Sequence, residues 1–70
     1  MASKRNKVLK SLRVQHDINQ KEMAKLLGIA ISSYNQKENG KYDFTQNEIE
    51  KIIQIFNKPY EEIFLPGEYA

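Results

Sequence analysis

Residues 19–29 read Asn19-Gln20-Lys21-Glu22-Met23-Ala24-Lys25-Leu26-Leu27-Gly28-Ile29, and this stretch decides the fold. The Asn19 side chain can accept from the Glu22 amide while the Glu22 side chain reaches back, a variant of the capping box that predicts a helix starting near Gln20. Its inward face is Met23, Ala24 and Leu27. Gly28 is the residue best able to take a positive φ just past a helix end, so this helix stops at Leu27. Ala30 to Asn39 holds no breaker before Gly40 supplies a second stop, which predicts a short and unusually polar helix there. Small Ala24 lets that helix cross closely, Gly28 permits the sharp turn and Ile29 plugs the angle, which is the geometry of a helix-turn-helix unit.

Outward from this pair the chain reads as helices throughout. Val8, Leu9 and Leu12 give an apolar stripe to a first helix, Lys4 to Gln15, with Lys4, Lys7, Lys10 and Arg13 mostly off it. Thr45-Gln46-Asn47-Glu48 is a second capping box, and Ile49, Ile52, Ile53 and Phe56 form the cleanest amphipathic stripe in the sequence. Asn57 can take a left-handed turn after that fourth helix. Pro59 suits a first helical position, and Tyr60 to Phe64 makes one closing turn before Pro66-Gly67. The expected fold is all-α, a compact five-helix bundle in one domain over residues 1–70, with a core over about 7–65 and a tail at 66–70.

Seventy residues bury a modest core, which leaves few apolar side chains for a catalytic pocket. There is no cysteine, so disulfides and thiolate metal sites are excluded, and no apolar run long enough for a signal peptide or membrane span. These features predict a cytoplasmic protein. The net charge of +2 hides a strong polarity: through Lys41 nine Lys and Arg face Asp17, Glu22 and Glu38, a balance of +6. From Tyr42 onward Lys51 and Lys58 face six acids, a balance of −4. A polyanion is steered toward the first part, although uneven charge on a solvated surface accounts for the same numbers.

Leu12-Arg13, residues 19–29, Glu38-Asn39-Gly40-Lys41 and Tyr60-Glu61-Glu62-Ile63-Phe64 together resemble the phage repressor and Cro type of helix-turn-helix family, also called Xre-type, over roughly Val8 to Phe64. The resemblance implies a lambda-repressor-like DNA-binding domain whose third helix, 30–39, enters the major groove. It implies a sequence-specific transcriptional regulator, expected to be a repressor. Positions matching Ile31, Ser32 and Gln36 face base edges, with Asn35 as a fourth. Gln36 can bond bidentately to adenine, Ser32 can donate or accept, and Ile31 can meet a thymine methyl or equally serve packing. Gln20 matches a position that bonds a phosphate at a helix N-terminus, and Asn39 and Lys41 match backbone contacts. Arg13 and Glu38 match a structural ion pair, and Tyr34 a core position. Ser32, Asn35 and Gln36 also suit the solvated side of a surface helix.

Two departures from the family stand out. Ala30 occupies a position where Ser or Thr often caps the third helix, so that helix is expected either to start less firmly or to recruit Ser32 or Ser33 instead. Lys37 replaces a residue that is commonly apolar, with its stem expected along the core edge and its ammonium in solvent or on a phosphate.

With one histidine and no glycine-rich loop the chain offers no catalytic set, no cofactor motif and no metal set, so an enzyme is not expected. His16-Asp17 reads as a polar turn with a possible phosphate contact. Three phosphate contacts per monomer predict weak binding alone, hence a homodimer on a two-fold operator in double-stranded DNA. Ile63, Phe64, Leu65 and Tyr69 can supply the dimer contact or finish the core. No membrane and no small-molecule ligand is expected, which leaves concentration, turnover or a partner as the means of control. A protein-interaction module, such as an antitoxin, antirepressor or adaptor, is the alternative that keeps the fold.

Overall fold

Local hydrogen bonding sets where each helix begins and ends. The computed structural model describes residues 6–64 and contains α1 (Lys7–Gln15), α2 (Gln20–Leu27), α3 (Ile31–Glu38), α4 (Gln46–Phe56) and α5 (Tyr60–Ile63). Both capping boxes form. Asn19 Oδ1 accepts from Glu22 N at 2.7 Å while Asn19 N donates to Glu22 Oε1 at 2.9 Å. At α4, Thr45 Oγ1 accepts from Glu48 N at 3.2 Å while Thr45 N donates to Glu48 Oε1 at 2.9 Å.

The first four helices end alike, on a residue of positive φ followed by an amide that reaches back five residues. Gly28 at φ 75° is followed by Ile29 N donating to Ala24 O at 3.0 Å, and Gly40 at φ 86° by Lys41 N donating to Gln36 O at 2.8 Å. Asn57 at φ 53° does the same for α4. At α1 the left-handed residue is Asp17, φ 57°, with Ile18 N on Arg13 O at 3.0 Å. Asp and Asn tolerate this conformation better than other side chains, so no glycine is required at either place.

Several expected boundaries shift. α1 begins at Lys7 rather than Lys4, because Asn6 Oδ1 accepts from Leu9 N at 2.9 Å and makes Asn6 the cap. Lys4 and Arg5 lie outside the described residues. α3 runs Ile31–Glu38, one residue shorter at each end than 30–39, because Ala30 has extended backbone and Asn39 leads into left-handed Gly40. Neither Ser32 nor Ser33 caps it; α3 has no side-chain cap. Pro59, at ψ 159°, precedes the first helical residue Tyr60, and Phe64 follows the last.

The core draws on all five helices: Leu9 and Leu12 from α1, Met23, Ala24 and Leu27 from α2, Tyr34 from α3, Ile52 and Phe56 from α4 and Ile63 from α5. On α4 the stripe is rotated from the one expected. Ile55 packs against the core, Glu48 is buried, and Ile49 and Ile53 are half-buried at its margin. Phe44 lies between Tyr34 and Phe64, with ring centroids 5.9 and 6.0 Å away, and Phe64 stacks on Tyr60 at 5.2 Å. Ile63 and Phe64 therefore close the bundle; Leu65, Tyr69, Pro66 and Gly67 lie outside the described residues. Among the described residues no helix is long and apolar enough to cross a membrane.

Candidate nucleic-acid interface

Helical periodicity divides α3 into faces with separate tasks. Tyr34 and Glu38, one turn apart, point into the bundle, while Ile31, Ser32, Asn35 and Gln36 share an outer face that Asn39 continues. Ile31 is 49% exposed and Ser32 is exposed, whereas Asn35 and Gln36 are half-buried.

Four hydrogen bonds converge on the Glu38 carboxylate. Arg13 donates from Nε at 2.9 Å and Nη2 at 3.2 Å, Tyr34 from its hydroxyl at 2.6 Å, and Gln20 from Nε2 at 3.1 Å. Arg13 spends its remaining Nη1 on Ile18 O at 2.9 Å, so one guanidinium fastens α1, the turn after it and the end of α3. Burial pushes the Glu38 carboxyl pKa up, but the bonds from Arg13, Tyr34 and Gln20 outweigh it and hold it below the ordinary carboxylate value. Its hydrogen bond to Glu38 raises the Arg13 pKa against the opposing effect of burial. Burial and the bond to Glu38 also push Tyr34 upward, which keeps its hydroxyl a donor. Among the described residues every buried side-chain nitrogen and oxygen has a partner.

The network continues outward onto the polar face. Gln20 Oε1 accepts from Asn35 Nδ2 at 3.1 Å, and Asn35 Oδ1 accepts from Asn39 Nδ2 at 3.2 Å. Gln20, Asn35 and Asn39 are thus brought together and tied to the buried Glu38. Ile31, Ser32 and Gln36 stand beside that chain, and among the described residues no side chain hydrogen-bonds Ser32 or Gln36. Lys41 is exposed just beyond Gly40, with Nζ 5.9 Å from the centre of the Tyr42 ring. His16 meets Phe56 edge-on at 5.1 Å, and its Nδ1 lies 2.8 Å from Leu12 O.

Lys37 does not send its ammonium to solvent or a phosphate. Its Nζ donates to both oxygens of Glu48, at 2.7 and 2.9 Å, with both side chains largely buried. Hydrogen bonds from Lys37 and from the Thr45 backbone overcome burial and keep the Glu48 pKa low. Sequence reasoning found Glu48 as a capping residue but missed this second role, because its partner is eleven residues away across the Gly40 turn. Asn6 was missed too; Asn6-Lys7-Val8-Leu9 carries an N-cap signal without the acidic third residue of a capping box.

The helix-turn-helix family model matches residues 9–63. Antitoxin PezA of Streptococcus pneumoniae serotype 4 is 40% identical over 57 residues, which cover 81% of this chain and 36% of that protein. The chain therefore spans about a third of the length of this curated relative. Among solved structures, the restriction-modification controller protein C.AhdI of Aeromonas hydrophila superposes with a TM-score of 0.72 at 24% identity, covering 84% of this chain and 89% of that one. The clp gene regulator ClgR of C. glutamicum gives 0.72 at 14% identity, covering 90% and 84%. At these identities the two structures establish the fold alone, which is all-helical over the described residues. The match over 9–63 covers most of the sequence, and the chain belongs to the Xre/Cro-type helix-turn-helix family.

Proposed function

We propose that this chain is a sequence-specific DNA-binding transcriptional regulator, a repressor, that lays α3 in the major groove and works as a homodimer on a two-fold operator. The observation that carries the reading is the outer face of α3. Ser32 and Gln36 are spaced to meet successive base edges, and their helix is braced from behind by the Glu38 and Glu48 pairs. Ile31 supplies an apolar contact for a thymine methyl. Asn35 contributes to readout while its amide holds Gln20 and Asn39 in place. Gln20, Asn39 and Lys41 meet the phosphate backbone.

The antitoxin relative favours a second reading, in which this fold serves a protein partner. A protein-binding face is expected to expose several apolar or aromatic side chains, and on the outer face of α3 Ile31 is the apolar one.

Fluorescence anisotropy of a labelled random-sequence duplex at several salt concentrations separates the two. The DNA reading expects affinity that falls steeply with salt, a slope reduced by about one in Lys41→Ala, and little change in Gln36→Ala until an operator is selected. No binding at low salt overturns it in favour of the protein-partner reading.

A further inference from the structure

An open cleft of about 250 Å³ lies where the start of α1 meets the end of α3, lined by Asn6, Lys7, Lys10, Glu38 and Asn39. The geometry points to this cleft as a binding site for a phosphodiester of the bound duplex, gripped by the ammonium groups of Lys7 and Lys10 on one wall and the Asn39 amide on the other. The inference rests on the DNA reading and extends its backbone contacts from α2 and α3 onto α1.

Four observations carry it. Lys7 and Lys10 are three residues apart on α1, hence on one face, and both are exposed. Among the described residues neither is in an ion pair, whereas Lys37 and Lys58 each have a carboxylate. The two walls are also held in register: Asn6 N donates to Glu38 O at 3.1 Å, so the cap of α1 is tied to the last turn of α3. Asn39 belongs both to the cleft and to the Gln20–Asn35 chain beside the α3 reading face, so an anion here is contiguous with that face.

Glu38 also lines the cleft, and a bare carboxylate would repel a phosphate. It is 3% exposed, and its oxygens accept four hydrogen bonds from Arg13, Tyr34 and Gln20, so its charge is compensated within the bundle. Among the described residues the cleft is lined by two ammonium groups, of Lys7 and Lys10, that are in no ion pair.

The test compares the intact chain with the double variant Lys7→Gln/Lys10→Gln and with Lys51→Gln, an exposed α4 lysine outside the cleft, in random-duplex titrations over several salt concentrations. Each neutralised phosphate adds about 0.9 to the slope of log K against log salt, so the double variant, which empties a site for one phosphate, is expected to lose about 0.9 and Lys51→Gln to lose nothing. Matching thermal midpoints verify that all three fold. If the intact chain binds DNA and the double variant keeps its slope, or Lys51→Gln loses as much per charge, the cleft assignment falls while the DNA reading stands. If the intact chain does not bind DNA, both fall. A separate titration with inorganic phosphate, followed by the amide NMR shifts of Lys7, Lys10 and Asn39, distinguishes the source of the anion. Saturable shifts alongside an unchanged DNA slope assign the cleft to a free anion and overturn the proposal.

Discussion

Lys37 Nζ stands 2.7 Å from Glu48 Oε1, and this contact joins the last turn of α3 to the first turn of α4. Glu48 meanwhile closes the Thr45 capping box, so one carboxylate both starts a helix and anchors its neighbour. Lys37→Met removes the cation and leaves a largely buried carboxylate with only its cap, at an expected cost of about 1–3 kcal/mol. Glu48→Ala loses the cap as well and should cost more. The double variant Lys37→Met/Glu48→Gln should recover part of the loss. Urea unfolding of the wild type, Lys37→Met, Glu48→Gln and the double variant gives the coupling; costs that simply add would show that the contact contributes nothing.

Arg13→Ala strands Glu38, which is buried at the meeting of α1, α2 and α3. Removing one partner of a buried pair costs about 3–5 kcal/mol, enough to leave a chain of this size partly unfolded at room temperature. Arg13→Met/Glu38→Met should be less destabilised than Arg13→Ala, because it leaves no charge uncompensated. Circular dichroism during thermal unfolding checks the order of the two.

Acid should unfold the protein through the same two carboxylates. Glu38 and Glu48 both have folded-state pKa values held below the ordinary glutamate value. Their contribution is therefore complete above the ordinary carboxylate range and is lost as pH falls through the lower folded values. The urea midpoint is expected to drop on going from pH 7 to pH 3, with a smaller drop in Glu48→Gln, which keeps the cap but cannot titrate. An equal drop in that variant would remove Glu48 from the account.

Ala30 precedes α3 with φ −68° and ψ 151°, a backbone suited to a cap, yet it has no side-chain oxygen to accept from the helix. Ala30→Ser should stabilise the protein by about 1 kcal/mol. Random-duplex binding should be unchanged, since the substitution lies ahead of the outer face. Differential scanning calorimetry reads the gain, and a lowered midpoint would mean the serine finds no amide.

Gly28→Ala tests the turn. A Cβ at Gly28 meets nothing within 4 Å, so its cost is backbone strain at φ +75° and not a clash. About 1–2 kcal/mol is expected, with Gly28→Asn less costly because asparagine tolerates the left-handed region. Equal losses in chemical denaturation would indicate a packing role for the glycine.

What the sequence determined by itself was the helices and the turns between them. Capping boxes at Asn19 and Thr45, left-handed ends at Gly28, Gly40 and Asn57, and the apolar spacing of Leu9, Leu12, Met23, Ala24 and Leu27 are local signals, each complete within a few residues. Together with Glu38-Asn39-Gly40-Lys41 they were enough to identify the family. The tertiary structure decided what the charged and amide side chains do. Lys37 and Lys7 carry the same charge in the sequence, yet the turn between α3 and α4 puts Glu48 beside the first, and no acid of the described residues is in an ion pair with the second. Asn35 and Gln36 are both amides on one helix face, yet only Asn35 faces Gln20 on α2. Backbone conformation depends on near neighbours in the chain, whereas a long polar side chain takes whichever partner the fold brings within about 3 Å of its end.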